Sequence, residues 1–234
     1  MDYVFSPPAP VVLPVLGSPA LFPVHRIYCV GRNYADHARE MGHSGREAPF
    51  FFAKPADAAL AIAPGVTATL NYPSQTGDLQ YETELVVALG GAGNDLDPAV
   101  AGSLIWGYGV GIDLTRRDLQ AEAKKQGRPW EISKGFDHSA PVSAIRPVAQ
   151  SGRIDRGRIW LEVNGERRQD GDLSSMIWGV DQIIAQLSRY FALAPGDLVF
   201  TGTPAGVGAL RAGDRLRAGI EGVGEISLAI ARAA

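Results

Sequence analysis

The sequence predicts an α+β fold built on mostly antiparallel or mixed sheet, and three observations lead there. Short apolar runs bounded by glycine or proline dominate the chain. Only a few stretches carry a helical period, and no alternation of strand and helix or internal repeat marks a doubly wound or repeat architecture. With 234 residues of which 46% are hydrophobic, the chain can bury a sizeable core as one main domain.

Taken in order, residues 1–25 read as a proline-rich arm laid along that domain, because proline confines pieces such as "VVLPVLG" to edge or unladdered strands. Residues 26–234 then form the main domain. "HRIYCVG" reads as a strand, and "NYADHAREMG" as a short helix with Asn33 as N-cap and Gly42 just past its end. "GREAPFFFAKPADAA" reads as a proline-bounded loop with an aromatic cluster. "LQYETELVVALGG" reads as a strand, and "IWGYGVGIDLT" as another ending near Asp113. Between them a helix is expected around Pro98 to Ser103. "LTRRDLQAEAKKQG" reads as a helix closed by Gly127. The Asn164-Gly165 pair between strand-like flanks is a strong hairpin signal. In "MIWGVDQIIAQLSRYFAL", Ile177, Ile183, Ile184, Leu187 and Phe191 fall close to one helical stripe before Pro195-Gly196. The C-terminal stretch alternates short strands with glycine turns.

A formal net charge of −3 offers no general electrostatic reason to bind nucleic acid or an anionic membrane. The N-terminus has an acid at position 2, no basic leader and no long apolar run, so neither a signal peptide nor a membrane anchor is expected, and the default location is cytoplasmic. Cys29 is the lone cysteine, which excludes an intramolecular disulfide framework; it reads as a buried, inert thiol.

The segment at Leu79–Gly91 carries the sharpest chemical question. Alternation places Glu82 and Glu84 on the strand face later occupied by Val86 and Ala88, while Tyr81, Thr83, Leu85 and Val87 take the other. Both faces are apolar beyond Glu84, as in a strand covered on both sides. Two carboxylates held together in a poorly hydrated site need a cation or a shared proton. Asp113 is available as a third acid, and three carboxylates with no cysteine or histidine cluster suit Mg²⁺ or Mn²⁺. The spacing alone also admits ordinary solvated glutamates. His37 and Glu40, three apart on the expected helix, read either as a water-activating dyad or as a surface pair. Lys134 can balance a substrate carboxylate or a developing enolate, or be solvated. "TGTPAGVG" offers backbone N–H groups and the Thr201 and Thr203 hydroxyls as an anion cradle, without the lysine or the strand–helix context of a nucleotide site. The basic run Arg116, Arg117, Lys124, Lys125, Arg128 reads as a solvated helix face interleaved with Asp118 and Glu122.

In order and wording, "VGRNYADHARE", "PFFFAKP", "YETELVVALG", "GIDLTRRDLQ", "GRPWEISKGFDHSAPV", "LEVNGERRQ" and "LVFTGTPAGVG" together resemble the fumarylacetoacetate hydrolase superfamily, from about Arg26 onward. The resemblance implies a mixed β-roll with few helices, usually a homodimer. It implies that Glu82, Glu84 and Asp113 hold Mg²⁺ or Mn²⁺, that His37 and Glu40 activate water from a lid segment, and that Lys134 is the active-site lysine. Arg117, Gln120 and Thr203 are then expected to contact the oxalate-like end of a small anionic 2-oxo acid substrate. The length and compact arm resemble the short acylpyruvate-hydrolysing branch, and "YPSQTGDLQYE" and "GRPWEISKGFD" look like its fumarylpyruvate hydrolases of gentisate-type aromatic degradation. Within the same family, oxaloacetate decarboxylation and oxo-diacid isomerisation stand as alternatives, and a non-enzymatic module with a structural cation stands outside it.

Overall fold

A computed structural model describes residues 2–36 and 47–232. Among the described residues the chain builds four sheets and few helices, an α+β arrangement of the mixed β-roll type. The largest sheet has eight strands. Seven run in the spatial order Phe50–Lys54, Ile27–Gly31, Leu198–Phe200, Thr83–Leu89, Ile105–Ile112, Ala140–Ser143, Ala59–Ile62, and Arg146–Pro147 pairs beside Ile105–Ile112. A five-stranded sheet runs Glu166–Asp172, Arg158–Val163, Arg215–Ile220, Gly224–Ala231, Thr67–Asn71. Most pairs are antiparallel; three are parallel, Ala140–Ser143 with Ala59–Ile62, Leu198–Phe200 with Ile27–Gly31, and Gly224–Ala231 with Thr67–Asn71.

Thr83–Leu89 is the axis of this arrangement, and all seven of its residues are buried. Leu85, Val87 and Leu89 enter the larger core, which also holds Ile159, Leu161, Ala218 and Leu228 of the five-stranded sheet. Val86 and Ala88 enter a second core on the opposite face, closed by Leu13, Val15 and Phe22. Those three come from the proline-rich arm, which folds as the hairpin Val12–Val15 with Ser18–Pro23 and is tied to the main sheet by reciprocal backbone bonds between Pro14, Leu16 and Ile145. A strand apolar on both faces therefore has a cover on both faces, as its composition requires. Gly111 makes the central packing possible, since a Cβ there would sit 2.5 Å from Val86 and 2.6 Å from Phe200. Cys29 is fully buried in the second core, and burial pushes its thiol well above the ordinary range.

Several expectations need correction. The stretch "PFFFAKP" is a strand, Phe50–Lys54, antiparallel to Ile27–Gly31, because pairing supplies the backbone partners that its proline flanks seem locally to deny. The helix expected through Phe191 covers only Val180–Ser188. Ile183, Ile184 and Leu187 are buried as the stripe requires, but Phe191 lies past the end and is 42% exposed. The helix expected from Asn33 to Gly42 lies largely outside the described residues; the Asn33 carboxamide accepts from the Trp178 N–H at 2.8 Å and donates to the carbonyls of Thr201 and Trp178. The helix at Arg117–Gln126 closes on Gly127 at φ 63°, and the Asn164-Gly165 hairpin joins Arg158–Val163 to Glu166–Asp172, both as expected.

Candidate active site

The antiparallel register of Thr83–Leu89 on Ile105–Ile112 builds the centre. Thr83 lies opposite Ile112 and Glu84 opposite Gly111, so the next step of the ladder brings Asp113 against Glu82. The Asp113 N–H donates to the Glu82 carbonyl at 2.8 Å, confirming that step. Glu82 itself interrupts the strand, separating Leu79–Tyr81 from Thr83–Leu89. Its carboxylate, those of Glu84 and Asp113, and the space they share are buried, with one oxygen from each lying within 4.8 Å of the others.

Cations crowd one side of this cluster. Lys134, at the end of the short helix Glu131–Lys134, donates to Glu82 Oε2 at 2.7 Å and to Asp113 Oδ2 at 2.6 Å. Burial opposes its charge, but Asp113 and Glu82 outweigh burial and hold its pKa above the usual lysine value. Arg117 donates to Glu82 Oε1. Lys54 is buried, with its ammonium 2.9 Å from Asp113 Oδ1 and its hydrogen bonds going to the carbonyls of Leu114, Lys134 and Ser139 and to Ser139 Oγ. Asp113 therefore has an ammonium against each oxygen, Lys54 at Oδ1 and Lys134 at Oδ2.

Glu84 stands apart from the cations. Its carboxylate accepts the Gly202 N–H at 2.7 Å, and burial, then Asp113, then Glu82 push its pKa well above the ordinary carboxylate range. Gly202 is at φ 95°, and a Cβ there would meet Asn33 at 2.8 Å, so only glycine brings this donor to Glu84. Three buried carboxylates with oxygens within 4.8 Å of one another are a donor set of hard oxygens for a divalent ion. Mg²⁺ or Mn²⁺ fits it, and the like-charge repulsion that raises Glu84 is what such an ion relieves.

The triad lines an open cleft together with Arg117, Gln120, Lys134 and Thr203. Arg117 is held in place by Gln80 and Gln120, with Nε 2.8 Å from Gln80 Oε1 and Nη1 2.7 Å from Gln120 Oε1. Gln120 Oε1 is thereby occupied, and its amide N–H groups have no partner among the described residues. Thr203 Oγ1 accepts from Gln169 Nε2 at 2.8 Å, which frees its own O–H to donate into the cleft. Gln169 is anchored by the Thr83 N–H and the Pro204 carbonyl. Phe50, Phe52 and Trp130 form an aromatic wall, the Phe50 and Trp130 rings meeting edge to face at 5.5 Å.

Glu82, Glu84, Asp113, Lys134, Arg117, Gln120 and Thr203 therefore converge on one cleft. His37 and Glu40 lie outside the described residues. The basic run divides: Lys124, Lys125 and Arg128 are exposed as a solvated face requires, whereas Arg117 is half-buried, and Arg117 and Lys124 line the cleft. Lys54 and Gln169 carry no local signal in the sequence, because their partners are 60 and 34 residues away.

A buried carboxylate triad flanked by a paired lysine and arginine, at the strand ends of a mixed roll, defines a metal-dependent type of enzyme site. The family pattern of the fumarylacetoacetate hydrolase C-terminal domain matches residues 26–231, and the chain belongs to that family. It superposes on the crystal structure of a fumarylpyruvate hydrolase from Pseudomonas aeruginosa in complex with Mn²⁺ and pyruvate with a TM-score of 0.98, at 52% identity over 99% of this chain and 100% of that one. It is 46% identical over 163 residues to a fumarylpyruvate hydrolase of a Ralstonia species, covering 70% of this chain and 84% of the relative. It is also 44% identical over 197 residues to the mitochondrial oxaloacetate tautomerase of Rattus norvegicus, covering 84% of this chain and 87% of the relative.

Proposed function

We propose that the chain hydrolyses the C–C bond of a 3-acylpyruvate, with 3-fumarylpyruvate yielding fumarate and pyruvate in aromatic degradation. The observation that carries this reading is the single cleft joining the Glu82, Glu84 and Asp113 triad to Lys134 and to the Arg117, Gln120 and Thr203 group. Glu82, Glu84 and Asp113 would hold Mg²⁺ or Mn²⁺, which when bound polarises the oxygens of a 2-oxo acid. Support comes from the Mn²⁺ and pyruvate complex of the relative that shares 52% of its residues with this chain.

The chain's own groups then divide the work. Arg117, Gln120 and Thr203 bind and orient the substrate's carboxylate end; Thr203 and Gln120 do so through donors that Gln169 and Arg117 leave free. His37, oriented by Glu40, takes a proton from a water as the water oxygen bonds to the distal acyl carbon. The bond between that carbon and C3 of the pyruvate unit breaks, its electron pair passing to the pyruvate fragment as an enolate. The Lys134 ammonium stabilises the enolate charge, and a proton returned to C3 completes pyruvate while the acyl group departs as its carboxylate.

The tautomerase relatives favour a second reading, interconversion of the enol and keto forms of oxaloacetate, which uses the same enolate but no activated water. His37→Ala separates the two. Hydrolysis of fumarylpyruvate is expected to fall by about 10²-fold or more, the scale of a positioned general base, with Mn²⁺ affinity nearly unchanged and oxaloacetate tautomerisation retained. Unaltered hydrolysis in that variant would remove the dyad from the mechanism.

A further inference from the structure

The helix Arg117–Gln126 presents more of its length to the cleft than the carboxylate-binding end uses. Arg117, Gln120 and Lys124 follow one another at spacings of three and four, on a single helical stripe, and all three line the cleft. Arg117 and Gln120 belong to the end nearest the triad. Lys124 lies seven residues beyond Arg117, roughly 10 Å further along the axis at 1.5 Å per residue.

Lys124 has the surroundings of an anion site. Its ammonium stands 5.2 Å from the centroid of Trp130, and it has no carboxylate partner among the described residues. Partial burial, then the charges of Arg117 and Arg32, bring its pKa down to about 8. Arg32 also lines the cleft, its guanidinium 5.2 Å from the centroid of Phe50, the ring that meets Trp130 edge to face. Its backbone is held at φ 59°, a conformation that costs a non-glycine residue about 1 kcal/mol or more and concentrates at functional sites. Among the described residues the ion-pair partner of Arg32 is exposed Glu47, at 3.5 Å. The two cations lie on one aromatic wall, and the Arg32 charge acts on Lys124, so a shared anion is favoured between them.

We infer that Lys124 and Arg32 form a second carboxylate subsite for the far end of the substrate, making the cleft selective for acylpyruvates that terminate in a carboxylate. The inference rests on the acylpyruvate reading for the identity of that substrate, but the subsite itself can be tested without turnover. A second carboxylate gaining a charge-assisted bond is worth about tenfold in affinity.

The test is calorimetric titration of the Mn²⁺-loaded protein with fumarate, with crotonate, which keeps the carbon skeleton and lacks one carboxylate, and with oxalate. Wild type should bind fumarate about tenfold more tightly than crotonate. Lys124→Met should erase that difference, Lys124→Arg should keep most of it, and oxalate affinity should move less than about twofold in either. Equal affinity for fumarate and crotonate in wild type would overturn the subsite, as would equal losses for fumarate and oxalate in Lys124→Met. In turnover, Lys124→Met should raise KM for fumarylpyruvate and spare acetylpyruvate. A wild type that cleaves neither compound would sink the hydrolase reading, while the fumarate and crotonate titrations would still decide the subsite.

Discussion

Glu84→Gln is expected to weaken Mn²⁺ binding by at least about two orders of magnitude, more than loss of a supporting residue around a metal site produces, and to abolish metal-dependent turnover. The same change should stabilise the metal-free protein at alkaline pH. Glu84 is buried beside Asp113 and Glu82 and, among the described residues, accepts the Gly202 N–H alone, a bond the glutamine carbonyl can also accept. Its folded pKa is raised above the unfolded value, so its ionisation costs stability. The metal-free wild type keeps its full stability below the unfolded carboxylate pKa and loses it as pH rises through the raised folded value. A divalent ion removes that penalty. The gain in Tm on adding Mn²⁺ should therefore grow from pH 5.5 to pH 8 in wild type and shrink to little in Glu84→Gln. An equal metal response in the two proteins, with equal Mn²⁺ affinity, would count against Glu84 as a ligand.

Lys134→Met should lower kcat by about 10²–10³-fold, the effect of removing one preorganised group from a developing oxyanion. The lysine has no slack: its ammonium bonds both Glu82 and Asp113, and its backbone carbonyl receives the Lys54 ammonium. Removing this buried cation leaves three carboxylates with only Arg117 and Lys54 against them, and breaking a buried pair costs up to about 3–5 kcal/mol, so the metal-free variant should melt below wild type. Mn²⁺ should restore much of that stability by taking over the charge of the triad, without restoring turnover. Melting curves and single-turnover hydrolysis in saturating Mn²⁺ separate the two effects. Normal turnover in the folded, metal-loaded variant would remove Lys134 from enolate stabilisation.

The parts of this site that the sequence made legible are those governed by local pattern. The run from Thr83 to Leu89 announces a strand covered on both faces, and its two acids at the entrance announce a missing cation. Asp113 follows from the end of the next apolar strand. What pattern could not supply is register: only the pairing of Glu84 with Gly111 explains why Asp113 meets Glu82. Lys54 was hidden in a stretch whose prolines and unbroken aromatics read as a loop, because the partner strand Ile27–Gly31 lies across 18 residues of intervening chain. Gln169 sits in a hairpin and acts on Thr203 through a side-chain bond that no spacing predicts. Lys124 is exposed, as its place on a solvated helix face predicts, and what spacing does not show is that it also lines the cleft beside Trp130. His37 and Glu40 lie outside the described residues, and their roles rest on the resemblance and the proposed mechanism.

The measurement that tests the account most directly is the loss of ultraviolet absorbance of 3-fumarylpyruvate, followed with Mg²⁺ or Mn²⁺ and with chelator, beside 3-acetylpyruvate and oxaloacetate. The account predicts fast, metal-dependent loss that releases fumarate and pyruvate in equal amounts, with the fumaryl compound strongly preferred over the acetyl one. Metal-dependent tautomerisation of oxaloacetate with no cleavage of either acylpyruvate would contradict it and leave the triad serving enolate chemistry without hydrolysis.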